Sequence, residues 1–259
     1  MSFDDGRVRL RRGPTTAVVD VRAGGRLASL VVDGREVLGR SVDPAVPPAM
    51  RSGSFPMVPF AGRLPAGRVC FDGQSWVVPA SLGDAAAHWM GFDVPWDVVR
   101  ADASSVVLTV ELDARWPFGG RVEQEVRLLP DGVEVVLTVT NEQRWMPAAL
   151  GLHPWFARQH DGVDAEIVLE PGSDRPARPW DDCFTGLVGP PSAAWPGERL
   201  VVESDTSTWT VYERDPDAFC LEPLSHPVGA VATGQAAVVG PGRPLALTAR
   251  IRLLRGADR

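Results

Sequence analysis

The sequence predicts an all-β protein, a large antiparallel β-sandwich forming a single domain over residues 1–259. Runs of alternating apolar and polar residues recur along the chain, and turn-forming Asp-Gly pairs follow several of them. No long stretch has helical periodicity, and the 24 prolines and 26 glycines interrupt the chain at short intervals. Short strands with frequent turns favour a sandwich over βαβ units.

Eight alternating or β-branched runs are the clearest predicted strands. Successive side chains of a strand point to opposite faces, so the alternation places apolar side chains on one face. The runs are 17–22, 27–33, 106–112, 121–129, 133–141, 198–204, 208–213 and 245–254. We expect Asp33-Gly34, Asp72-Gly73 and Asp131-Gly132 to form hairpin turns in which both central residues have positive φ.

Four segments are predicted to be loops: 40–59, 81–95, 151–161 and 172–195. Long loops in a compact domain are usually functional. Three of the four histidines, His88, His153 and His160, fall in two of these segments. No linker divides the chain, and no repeat of 20–50 residues suggests a propeller or solenoid.

Composition excludes several functional classes. The net charge of -7 and the pI of about 5.2 argue against nucleic-acid and anionic-membrane partners. No apolar run is long enough to span a membrane, and the N-terminal residues lack the apolar core of a signal peptide. We therefore expect a cytoplasmic monomer or homodimer.

Lysine and cysteine usage narrow the chemistry further. All 26 basic residues are arginine, which excludes Schiff-base chemistry, a pyridoxal phosphate anchor and the P-loop lysine. Cys70, Cys183 and Cys220 form no CxxC pair, and we interpret them as buried thiols.

Two residues are candidates for acid–base catalysis. His153 lies in the segment Gly-Leu-His-Pro-Trp-Phe, where an imidazole titrating near neutrality could act as a general acid. Glu222, between Leu221 and Pro223, is expected to be partly desolvated, which raises a carboxyl pKa towards the range of a general base. A semi-buried structural histidine and a surface carboxylate are the alternatives.

Arg63, His88 and Asp181 are weaker candidates for substrate binding. Arg63 follows an apolar, proline-stiffened segment, and its guanidinium suits vicinal sugar hydroxyls or a carboxylate. Each could equally be a solvated or structural residue. Among the nine tryptophans, Trp89, Trp155 and Trp180 neighbour candidate polar residues, and we expect one or two at most to contact a sugar.

In this order, the segments resemble the aldose 1-epimerase (galactose mutarotase) family. The motifs are Pro-Phe-Ala-Gly-Arg ending at Arg63, His88 ahead of a Pro-Trp, the segment around His153, Asp181 three residues before a phenylalanine, and Glu222-Pro. With the flanking strands, the resemblance covers roughly residues 17–252.

The resemblance implies a sugar-binding β-sandwich that interconverts anomers without a cofactor or a metal. It assigns Glu222 as the general base, His153 as the general acid, and Arg63, His88 and Asp181 as sugar-binding residues. Asp182 is an alternative to Asp181, although the spacing to the phenylalanine favours Asp181. We expect His153 and Glu222 to face one hexose-sized cavity from opposite sides.

Two positions depart from the family pattern. Gly62 and Trp89 stand where the family usually has asparagine and glycine. The candidate catalytic pair is unchanged, so the resemblance constrains the reaction more than the substrate. A hexose-6-phosphate 1-epimerase would need an additional basic cluster, which the sequence does not set aside. A glycoside hydrolase using two carboxylates would leave His153 unexplained, and a non-catalytic sugar-binding protein would need neither acid nor base.

Overall fold

The computed structural model describes residues 2–88, 91–169 and 176–256, and strands dominate its secondary structure. The first strands are β1 (Ser2–Asp4), β2 (Arg7–Arg12), β3 (Thr15–Asp20), β4 (Arg26–Val32), β5 (Arg35–Glu36), β6 (Ser54–Met57), β7 (Arg63–Pro65), β8 (Arg68–Phe71), β9 (Gln74–Val77), β10 (Ala85–Ala87), β11 (Asp97–Ala101), β12 (Ser105–Glu111), β13 (Arg121–Leu129) and β14 (Gly132–Thr140). A 3-10 turn, Pro48–Met50, precedes β6.

The remaining strands are β15 (Met146–Ala148), β16 (Gly151–Ala157), β17 (Gln159–His160), β18 (Val163–Asp164), β19 (Glu166–Val168), β20 (Asp181–Phe184), β21 (Ser192–Trp195), β22 (Glu198–Ser204), β23 (Thr208–Tyr212), β24 (Ala218–Leu224), β25 (Ala237–Val239) and β26 (Leu245–Arg255). In the described ranges the only α-helix is a single turn, α1 (Ala230–Thr233), and no helix is long and apolar enough to cross a membrane.

Two large sheets contain most of these strands. The larger sheet has the order β1-β2-β3-β4-β6-β16-β24-β23-β20, with β5 paired to β4. The smaller sheet has the order β11-β12-β13-β14-β26-β22-β21-β19. Neighbouring strands run antiparallel throughout both sheets. The predicted antiparallel β-sandwich is confirmed.

The main core lies where the two sheets pack together. β13 packs against β2 and β3, and β14 packs against β4. Alternating residues of β13 are buried, and one core cluster combines Val8 and Val19 of the larger sheet with Val122 and Val135 of the smaller sheet. Burial of alternate side chains in this interior is the main stabilisation of such a sandwich.

Two of the three predicted turns are confirmed. Asp33-Gly34 and Asp72-Gly73 have positive φ at both residues and connect β4 to β5 and β8 to β9. The prediction for Asp131-Gly132 is wrong in detail. Leu129 pairs with Gly132, so Pro130 and Asp131 are the central residues. Proline fixes φ near −65°, which excludes a turn with positive φ at both positions.

The predicted loop 151–161 is wrong, because its first seven residues form the central strand β16. Gly151 to Phe156 are all buried, and so is every residue of β24. On one face, Leu152 and Phe156 enter the main core, whereas Trp155 joins a second apolar cluster on the opposite face. A strand that is covered on both faces shows no apolar–polar alternation, so the pattern missed it.

The cysteine prediction is correct only for Cys220, which is fully buried. Cys70 is half-buried and Cys183 is exposed on the sheet-edge strand β20. All three are free thiols.

Candidate active site

The candidate acid and base lie side by side on the two central strands of the larger sheet. In the β16–β24 register Trp155 faces Cys220, which sets His153 opposite Glu222. His153 Nε2 and Glu222 Oε1 are 3.5 Å apart. They therefore lie together on the floor of one site. The expectation that they face a cavity from opposite sides is wrong, because neighbouring strands of one sheet carry both side chains on the same face.

The neighbouring strands extend this floor across the sheet. Glu222 pairs with Thr210 on β23, and Asp181 on β20 pairs with Tyr212 on β23. Cys183 pairs with Thr210, so it lies in the same row, on the same face, as Glu222. Because side chains alternate along a strand, Asp181 shares this face with Cys183 and Asp182 does not. This favours Asp181 over Asp182, although both contribute to the cavity wall.

A cavity of about 500 Å³ opens above this floor. All five residues singled out from the sequence line it: Arg63, His88, His153, Asp181 and Glu222. Its volume is within the range typical of small-molecule sites. Five segments of the chain thus meet at one site.

Burial controls the protonation of the central pair. His153 is 8% exposed and Glu222 is 4% exposed. Burial, reinforced by His88 and the cations Arg26 and Arg63, lowers the pKa of His153 well below its usual value, while a hydrogen bond to its own carbonyl opposes this. Burial and the charge of Asp181 raise the pKa of Glu222 well above its usual value, and Arg63 opposes them. Both shifts favour the neutral forms of the pair, an imidazole beside a carboxylic acid.

Aromatic contacts hold the His153 ring in place. The ring stacks on Phe55, with centroids 4.6 Å apart and planes 20° apart, and lies 5.1 Å from the ring of Trp155. Trp155 Nε1 donates to the carbonyl of Met50 at 2.6 Å. Arg26 lies against Phe55 and donates to main-chain carbonyls in the 49–52 segment. These contacts tie the cavity wall around Met50 to the strand that carries His153.

The tautomer of His88 follows from its backbone contacts. The N–H of Gly62 donates to His88 Nδ1 at 3.3 Å, and the N–H of His88 donates to the carbonyl of Gly62 at 2.9 Å. Burial, and the charge of Arg63, lower the pKa of His88 to about 4, so the ring is neutral near pH 7. Since Nδ1 accepts, Nε2 carries the proton and is available as a donor.

Charged and polar groups form the open part of the cavity. Arg63 on β7 and Asp181 on β20 are both exposed. Arg214 approaches Asp181 with Nη1 4.0 Å from Oδ2, and Asp43 also lines the cavity. Arg214 and Asp43 carry no motif in the sequence, because they reach the site only through the pairing of neighbouring strands.

Gly62 shows how this chain departs from the family pattern. Its φ is +83°, and a Cβ placed there would lie 2.7 Å from a methyl group of Val228. Val228 lines the cavity, so its isopropyl group occupies the space that a side chain at position 62 would need. The other departure, Trp89, lies outside the described residues.

Other candidates from the sequence have structural roles. His160 Nδ1 lies 2.7 Å from Glu198 Oε2, and its ring stacks on Trp195 with centroids 3.9 Å apart. Trp180 is buried in the main core and does not line the cavity, whereas Trp155 does. His160 is therefore not part of the candidate site.

Three buried groups have the composition of a metal site. His153, Cys220 and Glu222 offer ligand atoms within 4.8 Å of one another, and they form the one such buried group found in the described ranges. The 3.5 Å contact between His153 and Glu222 also suits proton transfer between these groups.

The chain matches the family model described as aldose 1-epimerase over residues 6–170. It is 26% identical over 233 residues to the uncharacterized protein YphB of Escherichia coli K12, covering 72% of this chain and 80% of that protein.

Solved structures with the same fold include a protein of Escherichia coli K12 (TM-score 0.82, 21% identity, 96% of this chain and 99% of that chain). A galactose mutarotase-like protein of Lactobacillus casei has a TM-score of 0.74 at 18% identity, covering 96% of this chain and 100% of that chain. The galactose 1-epimerase of Lactobacillus acidophilus has a TM-score of 0.76 at 15% identity, covering 99% and 98%.

Proposed function

Because the chain belongs to the aldose 1-epimerase family, we propose that it interconverts the α and β anomers of a free aldose by acid–base ring opening and reclosure. The observation that carries the proposal is the pair of His153 and Glu222. Both are almost fully buried, they lie 3.5 Å apart, and their side chains line one cavity of about 500 Å³. Such a pair can take one proton from a bound sugar and return another within the same site.

The reaction needs one mobile proton on the pair. With the proton on His153, the Glu222 carboxylate takes the proton of the anomeric hydroxyl while Nε2 of His153 donates to the ring oxygen. The C1–ring oxygen bond breaks and C1 becomes a carbonyl. The pair then holds a neutral imidazole and a carboxylic acid, the state that burial favours in the resting site.

Reclosure runs these steps backwards from the other face. Rotation about the C1–C2 bond presents the opposite face of the carbonyl to the hydroxyl that was the ring oxygen. His153 removes the proton from this hydroxyl as it attacks C1, and Glu222 returns its proton to the carbonyl oxygen. The other anomer forms and the pair regains its starting protonation. All transferred protons are accounted for by the sugar and these two side chains.

The surrounding residues suit a sugar with several hydroxyls. His88 offers an Nε2–H donor, Arg63 offers a cationic fork, and Asp181 offers acceptor oxygens. Hydrogen-bond donors and acceptors for sugar hydroxyls are therefore both available around the reacting pair. We assign these three residues to substrate binding and the pair to catalysis.

The charge of the cavity bears on the phosphosugar alternative. Two arginines, Arg63 and Arg214, line the cavity, but so do Asp43, Asp181 and Asp182. Arg214 already lies 4.0 Å from Asp181. A phosphate would meet carboxylates as well as arginines, so a neutral aldose fits the cavity better.

Polarimetry of freshly dissolved α-glucose and α-galactose tests the proposal directly. The protein should accelerate approach to the anomeric equilibrium above the uncatalysed rate, and the glucose 6-phosphate rate should be lower than the glucose rate. Sugar binding without acceleration would support a binding protein instead. Release of an aryl alcohol from an aryl glycoside would support a hydrolase.

A further inference from the structure

The second ring nitrogen of His153 contacts a group that the proposed reaction does not use. Cys220 Sγ lies 3.7 Å from His153 Nδ1, and Cys220 is fully buried on the strand that carries Glu222. The sulfur therefore contacts the ring nitrogen other than the one that faces Glu222.

The two ring nitrogens have different surroundings. Nε2 faces the carboxyl of Glu222 at 3.5 Å. Nδ1 contacts Cys220 Sγ at 3.7 Å, and the ring also makes a hydrogen bond to the main chain of His153 itself. Both a main-chain carbonyl and a thiol sulfur can accept from Nδ1–H. A hydrogen held on Nδ1 leaves Nε2 as the position that gains and loses a proton.

We propose that Cys220 is a positioning residue, whose sulfur accepts a hydrogen bond from Nδ1–H of His153 and so reserves Nε2 for proton exchange with the sugar. The inference rests on the proposed function, because it assigns the arrangement of the acid in that reaction. The imidazole keeps its Nδ1 hydrogen through ring opening and reclosure, and only the Nε2 hydrogen moves.

The high pKa of the thiol is consistent with this arrangement. Burial is the main cause that raises the pKa of Cys220 well above its usual value, and the nearby carboxyl groups of Glu222, Asp215 and Asp181 add to it when they are ionised. The group therefore stays a neutral thiol beside the imidazole. A thiolate there would bind the imidazolium as an ion pair and hold the proton that the sugar must receive.

The proposal predicts a specific spectroscopic state. The chain has only four histidines, so long-range ¹H–¹⁵N correlation spectra can be assigned by comparison with the His153→Gln protein. In the resting wild type and in Cys220→Ser, neutral His153 should be the Nδ1–H tautomer. In Cys220→Ala, the Nε2–H fraction should increase. A wild type with the Nε2–H tautomer, in which the thiol donates to Nδ1, would overturn the proposal.

Kinetics provide the second readout. Loss of one weak hydrogen bond should lower kcat of Cys220→Ala by about three- to tenfold, with KM little changed, and Cys220→Ser should recover most of the rate. Cys70→Ser is the matched control, since Cys70 lines a separate surface groove. Equal kcat values and equal tautomers in wild type and Cys220→Ala would refute the role of Cys220. A wild type without any epimerase activity would refute the proposed function instead, and the tautomer measurement remains independent of it.

Discussion

Replacing Glu222 with glutamine removes the proposed base while keeping nearly the same shape. Glu222 is 4% exposed, and the amide can occupy the same space 3.5 Å from His153 Nε2. Asp181, which also lines the cavity, lies on β20, two strands away from β24. It cannot take the place of Glu222. A general base contributes about 10²–10⁴-fold, so we expect kcat to fall by this factor, equivalent to about 2.7–5.4 kcal/mol.

The pH dependence of the melting temperature of the same variant provides a measurement of stability that is separate from catalysis. The unfolded Glu222 titrates near pH 4.5, whereas burial raises its pKa in the folded protein. The folded state therefore retains the proton, and the contribution of Glu222 to stability is complete below pH 4.5 and is lost as pH rises through the folded pKa. Glu222→Gln has no such titration. Its melting temperature relative to the wild type should increase as pH rises from 5 to 9.

The assay is polarimetry of α-galactose or α-glucose at several protein concentrations, with melting curves for the same samples. Glu203→Gln on β22 is the matched control, because it is the same substitution in the smaller sheet. A folded Glu222→Gln protein that keeps a rate within threefold of the wild type would show that Glu222 is not the base.

Three further predictions test the cavity and its support. His88→Ala should raise KM about tenfold with a smaller effect on kcat, since a hydrogen-bond donor is lost. The pKa of about 4 for His88 predicts that wild-type KM varies little between pH 5.5 and 8. A large change of KM in this range would contradict the neutral state of His88. Asp215→Ala should lower the free energy of unfolding by about 2–4 kcal/mol in urea at pH 7, because its carboxylate accepts from Ser41 Oγ and from four main-chain N–H groups. These hydrogen bonds outweigh burial and lower its pKa, so this stabilisation is lost as pH falls below about 4, and an unchanged difference at pH 3 would be inconsistent with it. Gly62→Asn should weaken sugar binding through its clash with Val228, and adding Val228→Ala should restore part of the affinity measured by titration calorimetry; equal affinities for both variants would exclude the clash.

The acid and the base could be nominated from the sequence because their residue types and neighbours are unusual. A histidine next to Pro-Trp-Phe and a glutamate between Leu221 and Pro223 have few structural uses in a strand. Arg63, His88 and Asp181 could be added only through the family resemblance, since a lone charged residue in a loop carries little signal. Arg214 and Asp43 carry no sequence signal.

The strand that carries His153 shows where pattern reasoning failed. Segment 151–161 contains glycine and proline and has no apolar–polar alternation, a local pattern that does not predict a strand. β16 is instead buried on both faces, by the main core on one side and by the apolar cluster around Trp155 on the other. Neighbours on both faces come from distant parts of the chain, so no local window contains the information.

Local sequence determined the five long strands of the smaller sheet (β12, β13, β14, β22 and β26), the turns at Asp33 and Asp72, and the chemical types available for proton transfer, because side-chain alternation and positive φ depend on adjacent residues. Tertiary structure alone decided that β16 pairs with β24, which brings His153 to 3.5 Å from Glu222. It also decided the direction of both pKa shifts, since removing water from an imidazole and a carboxyl requires the strands and loops packed around them. Pairing between strands remote in sequence depends on which faces the whole chain can bury.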